Sequence, residues 1–193
     1  LPSMRERLYV TTDEHGAAIG FAEHFGAAVM IAPTEGRWSF PGWHPNFRGV
    51  MAPAIALAGQ QMTGHDLVIV AGSPVFKYYP YLPGELLPEG CQLIQLTDDA
   101  DAAARAPMGD AYLSDPVAAL AQITAAVPGP TADPLPAGPG PLAAPGASPL
   151  SAGDVFSAVA DCLPDDGAIV NESPSNLSVM FRHWRPSRPR SYF

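Results

Sequence analysis

The sequence predicts an α/β fold built on a parallel sheet, and two features of its patterning carry that prediction. Short, uninterrupted apolar runs alternate with longer runs of helical spacing, and the short runs lack the in-out alternation of a strand with one wet face. Strands that are apolar on both faces need helices above and below them, so the expected arrangement is doubly wound.

Leu8 to Val10 reads as the first strand, Gly16 to Phe25 as the first helix and Ala27 to Ala32 as the second strand. Trp43 to Gly49 reads as a rigid aromatic loop entering a helix, which covers Met51 to Met62. Asp66 to Ala71 and Cys91 to Thr97 are the next buried strands, each bounded by turn residues, and Pro116 to Ala126 is a helix. Eight Pro and four Gly then fall between Pro128 and Pro149, with Asp133 the single charge, giving an extended linker over 128–149. Beyond it, Ser151-Ala152-Gly153-Asp154 has the spacing of a capping box opening a helix to about Leu163. A short strand at Ala168 to Val170 and a helical stretch from Pro174 to His183 follow. A unit of about 43 residues with one internal strand is too small for a core of its own, so the chain is expected to be part of something larger.

Composition agrees with a folded chain and excludes several functions. Of 193 residues 47% are apolar, too many for a disordered chain despite 18 Gly and 23 Pro. A formal charge of −9 repels a nucleic-acid backbone, so no nucleic-acid partner is expected. The C-terminal arginines Arg182, Arg185, Arg188 and Arg190, interrupted by Pro186 and Pro189, read as a solvated segment ahead of a phosphate-binding patch. No apolar run of about 18 residues and no export signal occur, so a membrane partner is not expected and the location is read as cytoplasmic. Cys91 and Cys162 lie far apart, without a neighbouring His at ligand spacing, and are expected to be buried thiols in a reducing compartment.

Three places invite a chemical reading. Ala71-Gly72-Ser73-Pro74 follows a strand at the end where doubly wound sheets bind ligands, yet no GxGxxG or P-loop pattern occurs, and a plain turn is the simpler account. Val75 to Tyr81 then brings together Tyr78, Tyr79 and Tyr81, which suit either an interface or a substrate rim. His15, His24, His44, His65 and His183 have no partner at metal spacing and read as surface or capping residues. His44, within Trp43-His44-Pro45-Asn46-Phe47-Arg48-Gly49, is expected to be structural.

Three strings taken together are more specific. His44-Pro45-Asn46-Phe47-Arg48-Gly49, Gly72-Ser73-Pro74-Val75-Phe76-Lys77-Tyr78 and Ala104-Arg105-Ala106-Pro107-Met108-Gly109-Asp110-Ala111 resemble, in order and spacing, the benzoylformate decarboxylases. Asn171-Glu172-Ser173 fits as a fourth, and the resemblance runs from about Ala27 to the C-terminus. These are thiamine-diphosphate-dependent 2-oxo acid decarboxylases of three α/β modules. The resemblance implies that residues 1–127 are a central Rossmann-like domain with a six-stranded parallel sheet, and that 150–193 open a diphosphate-binding domain. The pyrimidine-binding module, with its activating glutamate, and the downstream motif for magnesium fall outside this chain. The fragment alone is therefore expected to be inactive, with no metal ligands of its own, and the parent to be a homotetramer.

The same resemblance assigns candidate residues. Tyr79 occupies the place of a family histidine that takes part in proton transfer; a phenol with a pKa near 10 donates a hydrogen bond but is a poor base near neutral pH. Pro174, Ser175 and Asn176 stand where the family approaches the cofactor's diphosphate. Pro174 has no N–H to offer, so only Ser175 and Asn176 carry the cofactor-binding role. The chemistry implied for the parent turns a 2-oxo acid into an aldehyde and CO2, with thiamine diphosphate and magnesium as cofactors. Two other readings stay open: a sheet that holds an adenine nucleotide such as FAD or ADP, which the missing Gly-rich fingerprint disfavours, and a purely structural module.

Overall fold

A computed structural model describes residues 7–10, 15–33, 38–76, 82–129, 149–164, 166–184, 186 and 191–192. Among these residues, six strands and six helices follow in the order β1 (Arg7–Val10), α1 (His15–Phe25), β2 (Val29–Ile31), β3 (Phe47–Val50), α2 (Ile55–Gln61), β4 (Leu67–Ala71), β5 (Gln92–Thr97), α3 (Ala100–Ala104), β6 (Asp110–Leu113), α4 (Pro116–Ala126), α5 (Ala152–Cys162) and α6 (Leu177–His183). A 3-10 turn, Pro174–Asn176, leads into α6.

Every described pairing is parallel. β1, β4, β5 and β6 form one ladder in that order, β2 and β3 form a second, and β2 packs beside β1. The chain thus runs outward from β1 to β3, crosses back to β4 and continues to β6, the order 3-2-1-4-5-6 of a Rossmann-like doubly wound sheet.

Both faces of the sheet are covered. Ile69, Ala71 and Leu96 join Phe21, Phe25 and Leu120 of α1 and α4 in one core. Val68, Val70 and Leu93 join Met51, Ala58 and Met62 around α2 in the other. Neighbouring residues of β4 therefore enter opposite cores, and this is why the strand reads as an unbroken apolar run.

The helix ends follow local chemistry. Asp115 accepts the Ala118 N–H at 2.8 Å to start α4, with Pro116 in its first turn. Ser151 and Asp154 form the expected reciprocal capping box on α5. After the linker, the C-terminal segment returns to the first half of the chain. Phe181 and Tyr192 lie 4.6 and 5.8 Å from Trp38 by ring centroid, and the Gly42 N–H donates to the Pro186 carbonyl at 2.9 Å.

Several expectations are corrected. Phe47–Val50 is a strand paired to β2, where the sequence read as loop, because Val29 donates to the Asn46 carbonyl and Met51 to Ile31, drawing the segment into register. The following helix starts at Ile55, since Ala54 is extended (φ −140°, ψ 137°) and Pro53 biases its predecessor away from helix. α3 and β6 had no counterpart in the sequence reading. The strand at Ala168 to Val170 reduces to a single parallel bridge from Ile169 to Tyr192. Cys162 ends α5 on its solvent side and is exposed, and Cys91 is half-buried, so neither is a fully buried thiol. Burial and then the nearby Asp66 carboxylate push the Cys91 thiol up. Of the linker, residues 130–148 lie outside the described residues. Among the described residues, no helix is long and apolar enough to cross a membrane.

Candidate functional site

Two segments gather the residues singled out by the sequence, and each is positioned by a strand end. At the carboxyl end of β4 the Gly72 N–H donates to the Leu96 carbonyl at 2.8 Å, the last rung between β4 and β5. Gly72 then turns the chain with φ +71°, a left-handed conformation that glycine adopts without strain. Ser73 is buried, and its carbonyl accepts the Gln95 side-chain amide at 3.0 Å. Phe76 has φ +52°, uncommon for an aromatic residue. Tyr78, Tyr79 and Tyr81 fall outside the described residues.

The second segment is the turn after Ile169. The Asn171 Oδ1 accepts the Ser173 N–H at 3.0 Å, an Asx turn, while its Nδ2 donates to the Tyr192 hydroxyl at 3.3 Å. Asn176 folds back onto Ser173 twice, through its backbone N–H at 3.1 Å and through Nδ2 to Oγ at 3.3 Å. Ser175 and Asn176 are thus brought together on one rigid turn at the entry to α6, with Ser175 exposed. Burial pushes the Tyr192 phenol up, and the Asn171 hydrogen bond opposes that shift.

This donor set suits a phosphate-bearing group in kind. The exposed Ser175 hydroxyl stands at a helix entry, while the Asn176 amide, already bonded to Ser173, keeps one further N–H to give. Glu172, exposed in the same turn, adds a negative charge that an anion would need a cation to balance. Among the described residues no group of three His, Cys, Asp or Glu is arranged to hold a metal ion.

The histidines resolve differently. His24 is exposed and its Nε2 bonds the Val127 carbonyl at 2.8 Å, tying α1 to the end of α4. His44 is buried and has the structural role expected of it. Its Nδ1 accepts the Asn46 N–H at 3.1 Å, so the ring proton sits on Nε2, 3.3 Å from Glu23 Oε1. Asn46 in turn donates from Nδ2 to the Ala22 and Ala27 carbonyls, both at 2.9 Å. The His44 to Gly49 string is a brace between α1 and β2. Of the four arginines, Arg182 is exposed on α6, and Arg185, Arg188 and Arg190 lie outside the described residues.

Gln95 and Tyr192 are the residues that the sequence reading missed. A glutamine inside the run Leu93-Ile94-Gln95-Leu96 was the available signal for the first. Nothing local marked Tyr192, whose role depends on a bridge 23 residues back to Ile169.

No family model matches the chain. It is 40% identical over 182 residues to a benzoylformate decarboxylase of Pseudomonas aeruginosa, covering 93% of this chain and 34% of that protein. The crystal structure of benzoylformate decarboxylase from Polynucleobacter necessarius superposes with a TM-score of 0.93 at 30% identity, over 100% of this chain and 37% of that one. A thiamine diphosphate-dependent 4-hydroxybenzoylformate decarboxylase from Rhodococcus jostii gives a TM-score of 0.89 at 35% identity, over 98% and 37%. The chain spans little more than a third of the length of these relatives.

Proposed function

We propose that this chain, similar to benzoylformate decarboxylases over nearly all of its length, forms the central region of a thiamine-diphosphate-dependent 2-oxo acid decarboxylase of that kind. Residues 1–127 serve as a Rossmann-like central domain and 150–193 as the first elements of a diphosphate-binding domain, joined by the Pro-rich stretch. The observation that carries the reading is the rigid turn Asn171 to Asn176, which presents the Ser175 hydroxyl at a helix entry in a chain homologous to these enzymes over 93% of its length.

In this reading Ser175 and Asn176 would donate to the cofactor's diphosphate, and magnesium, if bound, would supply the positive charge that balances it. Thiamine diphosphate, when bound, supplies the electron sink for loss of CO2 from a 2-oxo acid. For Tyr79, which lies outside the described residues, the role proposed is to donate a hydrogen bond to a carboxylate or carbonyl oxygen of the substrate, since a phenol is a poor base near neutral pH. The parent works as a homo-oligomer, with the segments beyond this chain completing the pocket.

The test is consumption of benzoylformate and of pyruvate by the complete protein, first stripped of cofactor and then assayed with and without thiamine diphosphate and magnesium. Turnover that requires both additives, and that falls about tenfold or more with Ser175→Ala at subsaturating cofactor, is the expected result. Absence of thiamine diphosphate binding by calorimetry overturns the reading and leaves a shared fold only.

A further inference from the structure

We propose that Gln95 is a positioning residue for the turn Gly72 to Phe76, which precedes Tyr79 in the sequence; its consequence for turnover rests on the role just given to Tyr79. Gln95 lies in β5 opposite Val70 of β4, on the face where Val68, Val70 and Leu93 make an apolar core. It is wholly buried, and a leucine would complete that face. Instead the strand carries an amide whose Oε1 meets no donor among the described residues, an arrangement that costs stability.

The amide does something that the sheet cannot. The backbone ladder between β4 and β5 ends at the Gly72 N–H and Leu96 carbonyl. One residue on, Nε2 of Gln95 reaches the Ser73 carbonyl at 3.0 Å. The next residue, Pro74, has no N–H with which to continue a ladder. Gln95 thus extends the cross-link past the point where main-chain pairing stops, and fixes the loop at its base. Two residues further, Phe76 holds a left-handed φ of +52°, a conformation that persists only where the flanking chain is held in place. A side chain that gives up apolar packing to pin a turn, three residues ahead of Tyr79 in the sequence, fits a device for fixing how the chain leaves the sheet.

The experiment uses the complete protein with Gln95→Leu. Hydrogen exchange at the Ser73, Val75 and Phe76 amides is expected to speed up about five- to tenfold, the factor that one net hydrogen bond supports, while β4 and β5 keep their protection and the melting temperature barely moves. With cofactor and a 2-oxo acid, kcat is expected to fall about tenfold with KM within about twofold, and that loss to shrink below about twofold in a Tyr79→Phe background. Gln95→Met, of the same length and without a donor, repeats the measurement should the leucine variant not fold. Unchanged exchange at Ser73 to Phe76 overturns the proposal, as does an equal loss of kcat in both backgrounds. Faster exchange in a protein that decarboxylates no 2-oxo acid supports the anchoring by Gln95 and overturns the proposed function instead.

Discussion

Asn46 illustrates how one side chain can hold two elements together. Its Nδ2 group bonds the Ala22 and Ala27 carbonyls, on the last turn of α1 and the entry to β2, and its own N–H is taken up by His44. Asn46→Ala leaves the Ala27 carbonyl without this donor, and a loss of about 1–3 kcal/mol in chemical denaturation is expected. Asn46→Asp is expected to cost more, because an ionised carboxylate then faces two carbonyl oxygens. Tyr192 supports a pH prediction. Burial raises its phenol above the ordinary value, only partly offset by Asn171, so the folded state favours the protonated ring. That contribution is fully present below about pH 10 and is lost as pH climbs through the raised value. Urea unfolding between pH 8 and 11 is expected to show a fall in stability at the alkaline end that Tyr192→Phe diminishes. At this scale the sequence was legible where a residue answers to its neighbours. The structural role of His44 was foreseen, whereas its burial, which depends on Phe40 and Glu23, was not.

Elements were legible where burial on both faces left a periodic or continuous apolar signal. β2, β4 and β5, with α1 and α4, fall within two residues of the expected limits at both ends. β6 left no such signal, because Asp110, Ala111, Tyr112 and Leu113 all lie exposed on the edge of the sheet. β3 contains Arg48 and Gly49, weak strand formers, and is a strand because β2 pairs with it. What aims β6 at β5 is Gly109, which has φ +82° and whose Cα approaches Leu93 so closely that an added Cβ would lie 2.6 Å from the Leu93 carbonyl oxygen. Gly109→Ala meets both a backbone that disfavours it and a steric block by main chain. A cost of about 2–4 kcal/mol is expected, read as a lower melting temperature with faster exchange confined to β5 and β6. A drop below about 1 kcal/mol would mean that the edge strand is free to shift. On α5 the capping box sets a smaller scale: Ser151→Ala is expected to cost about 1 kcal/mol, with the loss recovered by Asn at the same position.

The whole molecule is held together by a core that the linear order hides. Trp38, Phe40 and Phe47 in the first half meet Met180 and Tyr192 from the last quarter in one buried cluster, with Phe181 and Trp184 packed on its margin. The sequence reading divided the chain at the Pro-rich stretch and expected the last 43 residues to lack a core of their own; in the packing, Tyr192 is buried against the first half and Phe181 and Trp184 are partly so. What could not be read was which residues receive them, because Trp38 precedes Phe181 by 143 positions and no local pattern couples the two. A chain ending at residue 129 therefore uncovers an apolar patch that was formerly core. Every large apolar side chain returned to water forfeits about 1.5–3 kcal/mol of burial, so such a chain is expected to melt at lower temperature and to bind a hydrophobic dye. Trp38 reports the event directly. Trp43 is 63% exposed and can be replaced by Phe at little cost, and Trp184 leaves with the truncated segment, so Trp38 becomes the sole indole. Its emission is expected to move to longer wavelength and to become quenchable by acrylamide in the truncated chain, compared with the intact chain carrying Trp43→Phe and Trp184→Phe. A blue, unquenched Trp38 after truncation would mean that the first half closes over the indole by itself, and the C-terminal segment would then be a passenger on the fold and not part of its core.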